Sequence, residues 1–161
     1  MIKLVSDTIN KDDINRLVEW LSQDEIPKLT KGDLTWEFEE KWAKKIGTKY
    51  SVFVNSGSSS ILLTLAALKY SGKLKNNKIV VPGLSWATDV SSPMLLNYDV
   101  SMCDCNLEDL SCDLTHLEGL FKTENPSAFI LSNWTFTRLP KNSFMNTLSK
   151  YTANGTFSAD K

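Results

Sequence analysis

A short run of serines around one glycine has the residue types of an anion-binding turn. Asn55-Ser56-Gly57-Ser58-Ser59-Ser60 lies between a β-branched and aromatic run, residues 50–54, and an apolar stretch that begins at Ile61. The first N–H groups of a helix lack intrahelical partners and bind phosphate directly, and serine hydroxyls add further donors. Serine is also a preferred N-cap residue, so a well-capped helix without a ligand is the alternative interpretation.

A tryptophan stands at the next junction of the same kind. In VVPGLSWATD, residues 80–89, Trp86 comes where a predicted strand gives way to a predicted helix. An aromatic ring there can stack on a planar ligand that is held by its phosphate. Packing in the core is the alternative for Trp86 taken alone. The two junctions together favour a site for a planar phosphorylated ligand.

The elements that must position these residues alternate along the chain. Strands are predicted over residues 50–54, 78–82, 100–104 and 127–133. Helices are predicted over 61–72 (expected to be buried), 86–97 (interrupted by Pro93), 114–122 (capped by Asp113) and 141–151. Strands separated by helices of this length indicate βαβ units and an α/β fold with a mostly parallel sheet. In such sheets ligands bind beyond the carboxyl ends of the strands, where Gly57 and Trp86 are predicted to lie.

Two amphipathic helices are predicted ahead of this pattern. Apolar side chains recur at helical spacing within residues 10–22 and 34–47, and Gly47 is placed to end the second helix. We expect these apolar faces to pack in a core of the chain itself, with a subunit contact as the alternative. Residues 1–48 are therefore assigned to an N-terminal helical segment and residues 49–161 to the α/β domain.

Composition and charge narrow the class of protein. The 161 residues are 42% hydrophobic and 23% charged, with a net charge of −1, as in ordinary globular proteins. Lysine and arginine are spread along the chain, which argues against a nucleic-acid partner. No apolar run reaches membrane-spanning length and no secretion signal is recognisable, so we expect a cytoplasmic protein with reduced thiols and no membrane partner.

The cysteines and the single histidine lie close together in sequence. Cys103, Cys105, Cys112 and His116 have a spacing that fits no standard zinc motif, so no metal site is predicted. The thiols are expected to be buried or to lie along a strand face. His116 is expected to be an exposed helix residue rather than a catalytic base.

The order of these segments resembles one known family. The run LTKGDLTWEFEEKWAKKIGTKYSVFVNSGSSSILLTLAAL, followed by VVPGLSWATD and CDCNLEDLSCDLTHLE, is similar to the N-terminal half of the DegT/DnrJ/EryC1/StrS family. Its members are pyridoxal-phosphate-dependent nucleotide-sugar aminotransferases and deoxygenating relatives. The opening LVSDTINKDDI and the phrase NSGSSS resemble the branch that contains the sugar 3-dehydratases of lipopolysaccharide biosynthesis.

The resemblance implies an aspartate-aminotransferase-like fold (fold type I) with pyridoxal 5'-phosphate, PLP, as cofactor. Gly57, Ser58 and Ser59 are implied to hold the cofactor phosphate, and Trp86 is implied to stack on the pyridine ring. The implied partners are a nucleotide-sugar substrate and a second copy of the chain in a homodimer. The implied reaction is transamination or 3-dehydration of a keto-deoxy sugar in lipopolysaccharide or surface-polysaccharide biosynthesis.

The last residues depart from the family pattern. Asp160 matches the carboxylate that keeps the pyridinium nitrogen protonated if FSAD ends a strand, but NGTFS resembles a later family segment. A mobile chain end is the alternative for Asp160. Nothing matches the Schiff-base lysine, the histidine that replaces it in the deoxygenating branch, or the C-terminal small domain. We expect a truncated large domain whose enzymatic activity stays open. The alternative is a non-catalytic remnant that binds PLP weakly or only dimerises.

Overall fold

The computed structural model describes residues 7–131, which form two units, residues 7–53 and residues 54–131. The helices in this range are α1 (Lys11–Leu21), α2 (Asp33–Ile46), α3 (Gly57–Tyr70), α4 (Ala87–Leu95) and α5 (Leu114–Glu124). The strands are β1 (Lys78–Pro82), β2 (Asp99–Cys103) and β3 (Ala128–Phe129). Across the described range, no helix combines the length and the apolar character needed to cross a membrane.

Helix α1 is fixed at its start by a reciprocal pair of hydrogen bonds. The Asn10 side chain accepts from the N–H groups of Asp12 and Asp13, and the Asp13 carboxylate accepts from the Asn10 N–H. None of the residues in α1 is buried. The core packing predicted for its apolar face is therefore wrong within the described residues, because nothing there covers the face formed by Ile14, Leu17, Val18 and Leu21.

Helix α2 holds the segment that follows it through one buried carboxylate. The helix ends at Gly47, as predicted, in the left-handed conformation with φ 75°. Glu39 is buried, and its Oε1 atom accepts the Phe53 backbone N–H at 2.7 Å and lies 3.3 Å from Lys31 Nζ. The Phe53 hydrogen bond, with Lys31 adding to it, holds the pKa of Glu39 below its ordinary value, although burial acts in the opposite direction.

The second unit is built on a parallel sheet with strand order β2-β1-β3. The central strand β1 buries Ile79, Val80 and Val81 completely, as expected for a parallel strand that is covered on both faces. On one face Val80 packs with Cys103 of β2, with Leu117 and Phe121 of α5, and with Cys112 between these elements. On the other face Ile79 packs with Leu65 and Tyr98. The predicted α/β class with parallel pairing is confirmed.

The strand predicted over residues 50–54 is wrong. These residues are not paired with any strand of the described sheet. Val52 and Phe53 are exposed to 63% and 57%. A β-branched run has strand propensity, but a strand forms only where a neighbour accepts its backbone hydrogen bonds.

Helix α3 begins earlier than predicted and is less buried than expected. It begins at Gly57, four residues before the expected Ile61, because the cap and not the apolar pattern decides the first turn. The expectation of a buried helix is also wrong, since only Leu65 is buried on it and Leu63 is 50% exposed.

The remaining predicted elements agree with the structure within the described residues. Strand β1 has the predicted bounds, β2 begins one residue earlier than expected, and Asp113 caps α5. Pro93 lies inside α4, whose fully buried residues include it. Strand β3 is paired over two residues of the predicted 127–133 run. The helix predicted over residues 141–151 lies outside the described residues.

Candidate functional site

The first turn of α3 presents backbone N–H groups at an exposed position. Ser56 is the N-cap, and its Oγ atom accepts the Ser59 N–H at 3.1 Å. The main-chain ladder starts with the Ser60 N–H donating to the Ser56 carbonyl at 3.0 Å. The N–H groups of Gly57 and Ser58 precede that bond, where a helix offers no acceptor of its own. Both residues are exposed, and they lie in the first turn of α3, at the positive end of the helix dipole.

Glycine at position 57 is not explained by the chain's own packing. Gly57 is helical, and a Cβ atom built there would meet nothing within 4 Å. Neither backbone conformation nor crowding by described residues therefore requires glycine at this position. A glycine at the start of a helix leaves room for the oxygens of a bound phosphate to approach the backbone.

Trp86 is the N-cap residue of α4, four residues beyond the end of β1. Its side chain is 66% exposed, so the core-packing alternative for Trp86 does not hold within the described residues. The Trp86 carbonyl accepts the Asp89 N–H at 2.9 Å. An indole mounted on a helix start in this way can present its face to a planar ligand.

The loop that carries Trp86 is held by a residue that sequence reasoning missed. Asp89 is fully buried, and its carboxylate accepts a hydrogen bond from Ser85 Oγ. Asp89 lies in the first turn of α4, where the helix dipole favours a negative charge. An acidic residue in the first turn of a predicted helix could have drawn attention to Asp89 from the sequence. Its burial could not be predicted, because burial depends on tertiary packing. The Ser85–Asp89 pair positions the residues on both sides of Trp86.

Helices α3 and α4 lie side by side with their C-terminal ends together. Lys69 Nζ, near the end of α3, donates to the carbonyls of Leu96 and Asn97, just after α4. The Tyr98 hydroxyl donates to the Leu65 carbonyl at 2.8 Å, and burial raises the pKa of Tyr98. Because the two C-terminal ends share these bonds, the N-terminal ends of both helices lie toward the carboxyl end of β1.

The structure thus places four of the five predicted site residues at one edge of the sheet: Gly57, Ser58, Ser59 and Trp86. Asp160 lies outside the described residues. Oriented N–H groups and serine hydroxyls suit a phosphate, and an exposed indole at the same edge suits a flat ring. The chemistry available to these residues is binding and orientation of a planar phosphorylated ligand.

The cysteines and the histidine lie at the end of β2 and in the segment that follows it. His116 is exposed on α5, as predicted, and its Nδ1 atom accepts the Asp104 N–H at 3.0 Å. The three cysteines are free thiols, with Cys103 and Cys112 buried. Within residues 7–131 no group of three or more His, Cys, Asp or Glu side chains is arranged to hold a metal ion.

Comparison with solved structures defines the class of the fold. Helicobacter pylori PseC, an aminotransferase involved in the biosynthesis of pseudoaminic acid, superposes with a TM-score of 0.72 over 89% of this chain and 37% of that chain, at 20% identity. The E. coli GDP-4-keto-6-deoxy-D-mannose-3-dehydratase with bound hydrated PLP superposes with a TM-score of 0.56 over 72% of this chain and 30% of that chain, at 30% identity. The fold is that of the large domain of PLP enzymes of fold type I.

The family follows from the sequence match. The profile of the DegT/DnrJ/EryC1/StrS aminotransferase family matches residues 7–132, and the chain belongs to that family. A curated relative, the GDP-4-keto-6-deoxy-D-mannose 3-dehydratase of Yersinia pseudotuberculosis, is 29% identical over 133 residues. That alignment covers 81% of this chain and 33% of the relative, so the chain spans a third of the relative's length.

Proposed function

We propose that this chain forms the cofactor-phosphate part of a PLP-dependent enzyme that acts on a nucleotide-linked keto-deoxy sugar. The observation that carries the proposal is the exposed first turn of α3, with Gly57 and Ser58 ahead of the first main-chain hydrogen bond, at the same sheet edge as Trp86. Family membership and the PLP bound in a solved relative support the choice of ligand. No described residue crowds Gly57, so a phosphate has room to approach the first turn.

Each residue has a proposed role toward the cofactor. The N–H groups of Gly57 and Ser58 and the hydroxyls of Ser58 and Ser59 donate to the phosphate, and Trp86 stacks on the ring. Asp160 is proposed to pair with the ring nitrogen. When bound, PLP supplies an electron sink for bond breaking next to the carbon that it activates. The chain's own described residues bind and orient that group.

The proposed reaction class follows the relatives. Two of them are named for removal of the 3-hydroxyl of a GDP-linked keto-deoxy sugar, and another for transamination. We therefore place the reaction among 3-dehydrations or transaminations of nucleotide sugars, in lipopolysaccharide or surface-polysaccharide biosynthesis in the cytoplasm. Residues 1–48 are proposed as an N-terminal helical segment, and residues 49–161 as part of the PLP-binding large domain of a homodimer.

The test is a PLP titration of the purified chain, followed by its visible absorbance. We expect saturable binding for the natural sequence and its loss in Gly57→Asp, whose carboxylate would occupy the phosphate position. An acidic residue in the first turn favours the helix by about 0.3–1 kcal/mol, so this variant should stay folded. Gly119→Asp is the matched control, because a Cβ there also meets nothing within 4 Å. It should bind PLP like the natural sequence.

Two further ligands separate phosphate recognition from unspecific binding. Pyridoxal without its phosphate should bind more weakly than PLP, and inorganic phosphate should compete with PLP. Equal binding of PLP by the natural chain and by Gly57→Asp would overturn the proposed site. Borohydride reduction and mass spectrometry then show whether one lysine captures the cofactor in a manner that depends on Gly57. Such capture would assign the catalytic lysine to this chain.

A second candidate function is subunit association without turnover. The exposed apolar face of α1, formed by Ile14, Leu17, Val18 and Leu21, favours it. Sedimentation should then show dimers for the natural sequence and monomers for Leu17→Asp, with Arg16→Glu on the same helix as control. Dimerisation without PLP binding would favour this candidate over the first.

A further inference from the structure

After β2 the chain folds back on itself and brings two cysteines opposite each other. The backbones of Cys105 and Cys112 pair in antiparallel fashion over this one residue each, outside the named strands, and both thiols are free. The residues on either side of this pair are joined by two backbone hydrogen bonds, Asp113 N–H to Asp104 O (2.8 Å) and Asn106 N–H to Ser111 O (2.7 Å). Bonds in these places make Cys105 and Cys112 a non-hydrogen-bonded pair, in which the Cα atoms lie about 4.5 Å apart. Disulfides span Cα separations of about 4.4–6.8 Å, so the backbone holds this pair at bonding distance.

The third cysteine, Cys103, influences the ionisation of one member of the pair, Cys112. Cys103 is fully buried at the end of β2. A hydrogen bond with the Cys103 thiol lowers the pKa of Cys112, although burial opposes it, and the same bond together with burial raises the pKa of Cys103. Cys103 Sγ also lies 3.5 Å from the carbonyl oxygens of Asp104 and Asp113, which only accept. The hydrogen bond between the two thiols therefore favours ionisation of Cys112 over ionisation of Cys103.

Both members of the pair line one open cavity, Cys105 as a half-buried residue and Cys112 as a buried one. Cys105 and Cys112 line a cavity of about 560 Å³, whose other lining residues include Asp104, Asp109 and Asp113. Three carboxylates at this cavity disfavour anionic reagents and leave access to small neutral ones. Reactive cysteines combine thiolate character with such access.

We propose that Cys105 and Cys112 form a peroxide-reactive dithiol that closes to an intrachain disulfide, with Cys103 as the buried residue that positions and activates Cys112. Cys112 first releases its proton, and its thiolate attacks one oxygen of hydrogen peroxide, so an S–O bond forms and the O–O bond breaks. Hydroxide leaves and takes up the proton that Cys112 released, which gives the first water. The Cys105 sulfur then attacks the Cys112 sulfenic acid, so the S–S bond forms and the S–O bond breaks. The departing hydroxide takes the Cys105 proton. The two sulfurs give up two electrons, and one peroxide becomes two waters.

The main test is peptide mapping of the purified chain after treatment with hydrogen peroxide. Alkylation of the denatured chain should find three free thiols before treatment and one after it. Cleavage before aspartate places the cysteines on three peptides, residues 99–103, 104–108 and 109–112. We expect the second and third peptides to be linked and the first to be alkylated at Cys103. Three alkylated cysteines, a link between the first and third peptides, or a link between two chains would each overturn the proposal.

Variants test the separate roles of the cysteines. Cys105→Ser should form no disulfide and leave Cys112 as a sulfenic acid that a dimedone probe traps. Cys103→Ala should still form the same link, but its Cys112 alkylation profile should move to higher pH, because the hydrogen-bond donor is lost. Cys103→Ser keeps a donor and should move the profile back. An unchanged profile in Cys103→Ala would remove Cys103 from the proposal.

Discussion

The Gly83 backbone N–H donates to the Cys103 carbonyl at 2.7 Å, and a Cβ atom at Gly83 would lie 3.0 Å from that same oxygen. This bond joins the loop after β1 to the last residue of β2. The loop carries Trp86 and the turn after Cys103 carries the dithiol, so both candidate sites are built on a close backbone contact that only glycine allows without displacement.

Gly83→Ala should therefore destabilise the chain by about 1–3 kcal/mol, as overpacking of a tight site does. The obstacle is a backbone oxygen, which cannot rotate away as a side chain can. Urea denaturation measures the effect. Gly119→Ala is the control, since it lies in α5 with nothing within 4 Å of its Cβ. It should gain about 0.5–1 kcal/mol from helix propensity. Equal stability of Gly83→Ala and the natural sequence would contradict this reading of the contact.

Substitution of two serines at the start of α3 should distinguish an effect on stability from an effect on PLP binding. Ser56→Ala loses the N-cap hydrogen bond to the Ser59 N–H and should cost about 1 kcal/mol of stability. Ser58→Ala should leave stability nearly unchanged but weaken PLP binding, because its hydroxyl is proposed to meet the phosphate. Urea denaturation and PLP titration of both variants check this. If Ser56→Ala weakens PLP binding and Ser58→Ala does not, the two serines act only through the helix cap.

The sheet was predictable from sequence because its central strand has the clearest pattern. A strand covered on both faces needs a continuous apolar run between turn residues, and residues 78–82 supply it. Asp113 was equally clear, since its side chain accepts from the N–H groups of Thr115 and His116 as a cap does. The position of Trp86 at the carboxyl edge followed from the order of β1 and α4. The position of Gly57 was predicted from a strand over residues 50–54 that does not form, and it depends instead on the packing of α3 beside α4.

Features that depend on distant partners were not predictable. Residues 50–54 have strand propensity, but no strand pairs with them in the described residues. Burial of Asp89 depends on how α4 packs, which its own sequence does not encode. Cys105 lies opposite Cys112 only in the backbone register that the turn between them sets. A shift of that register by one residue would place the two thiols apart.

Asp89→Ala should destabilise the second unit by about 1–3 kcal/mol and weaken PLP binding. The substitution removes a buried carboxylate that accepts from the half-buried Ser85 hydroxyl, and it frees the loop that carries Trp86. Denaturation and PLP titration measure the two effects. Asp99→Ala, at an exposed position at the start of β2, is the matched control and should change neither quantity appreciably. A stable Asp89→Ala variant with natural affinity would show that this pair does not position Trp86.

Glu39→Gln should reduce the pH dependence of stability in the first unit. The Phe53 N–H and Lys31 favour the charged carboxylate in the folded chain, so the folded pKa of Glu39 lies below the unfolded value of about 4.3. The stabilisation is fully present above the unfolded pKa and is lost as the pH falls through the folded pKa. Thermal denaturation between pH 7 and pH 3 should therefore show the natural sequence more stable than Glu39→Gln at neutral pH, with the gap closing in acid. Glu40→Gln, at an exposed neighbouring position, is the control and should track the natural sequence. A gap that stays constant down to pH 3 would show that Glu39 acts through packing and not through its charge.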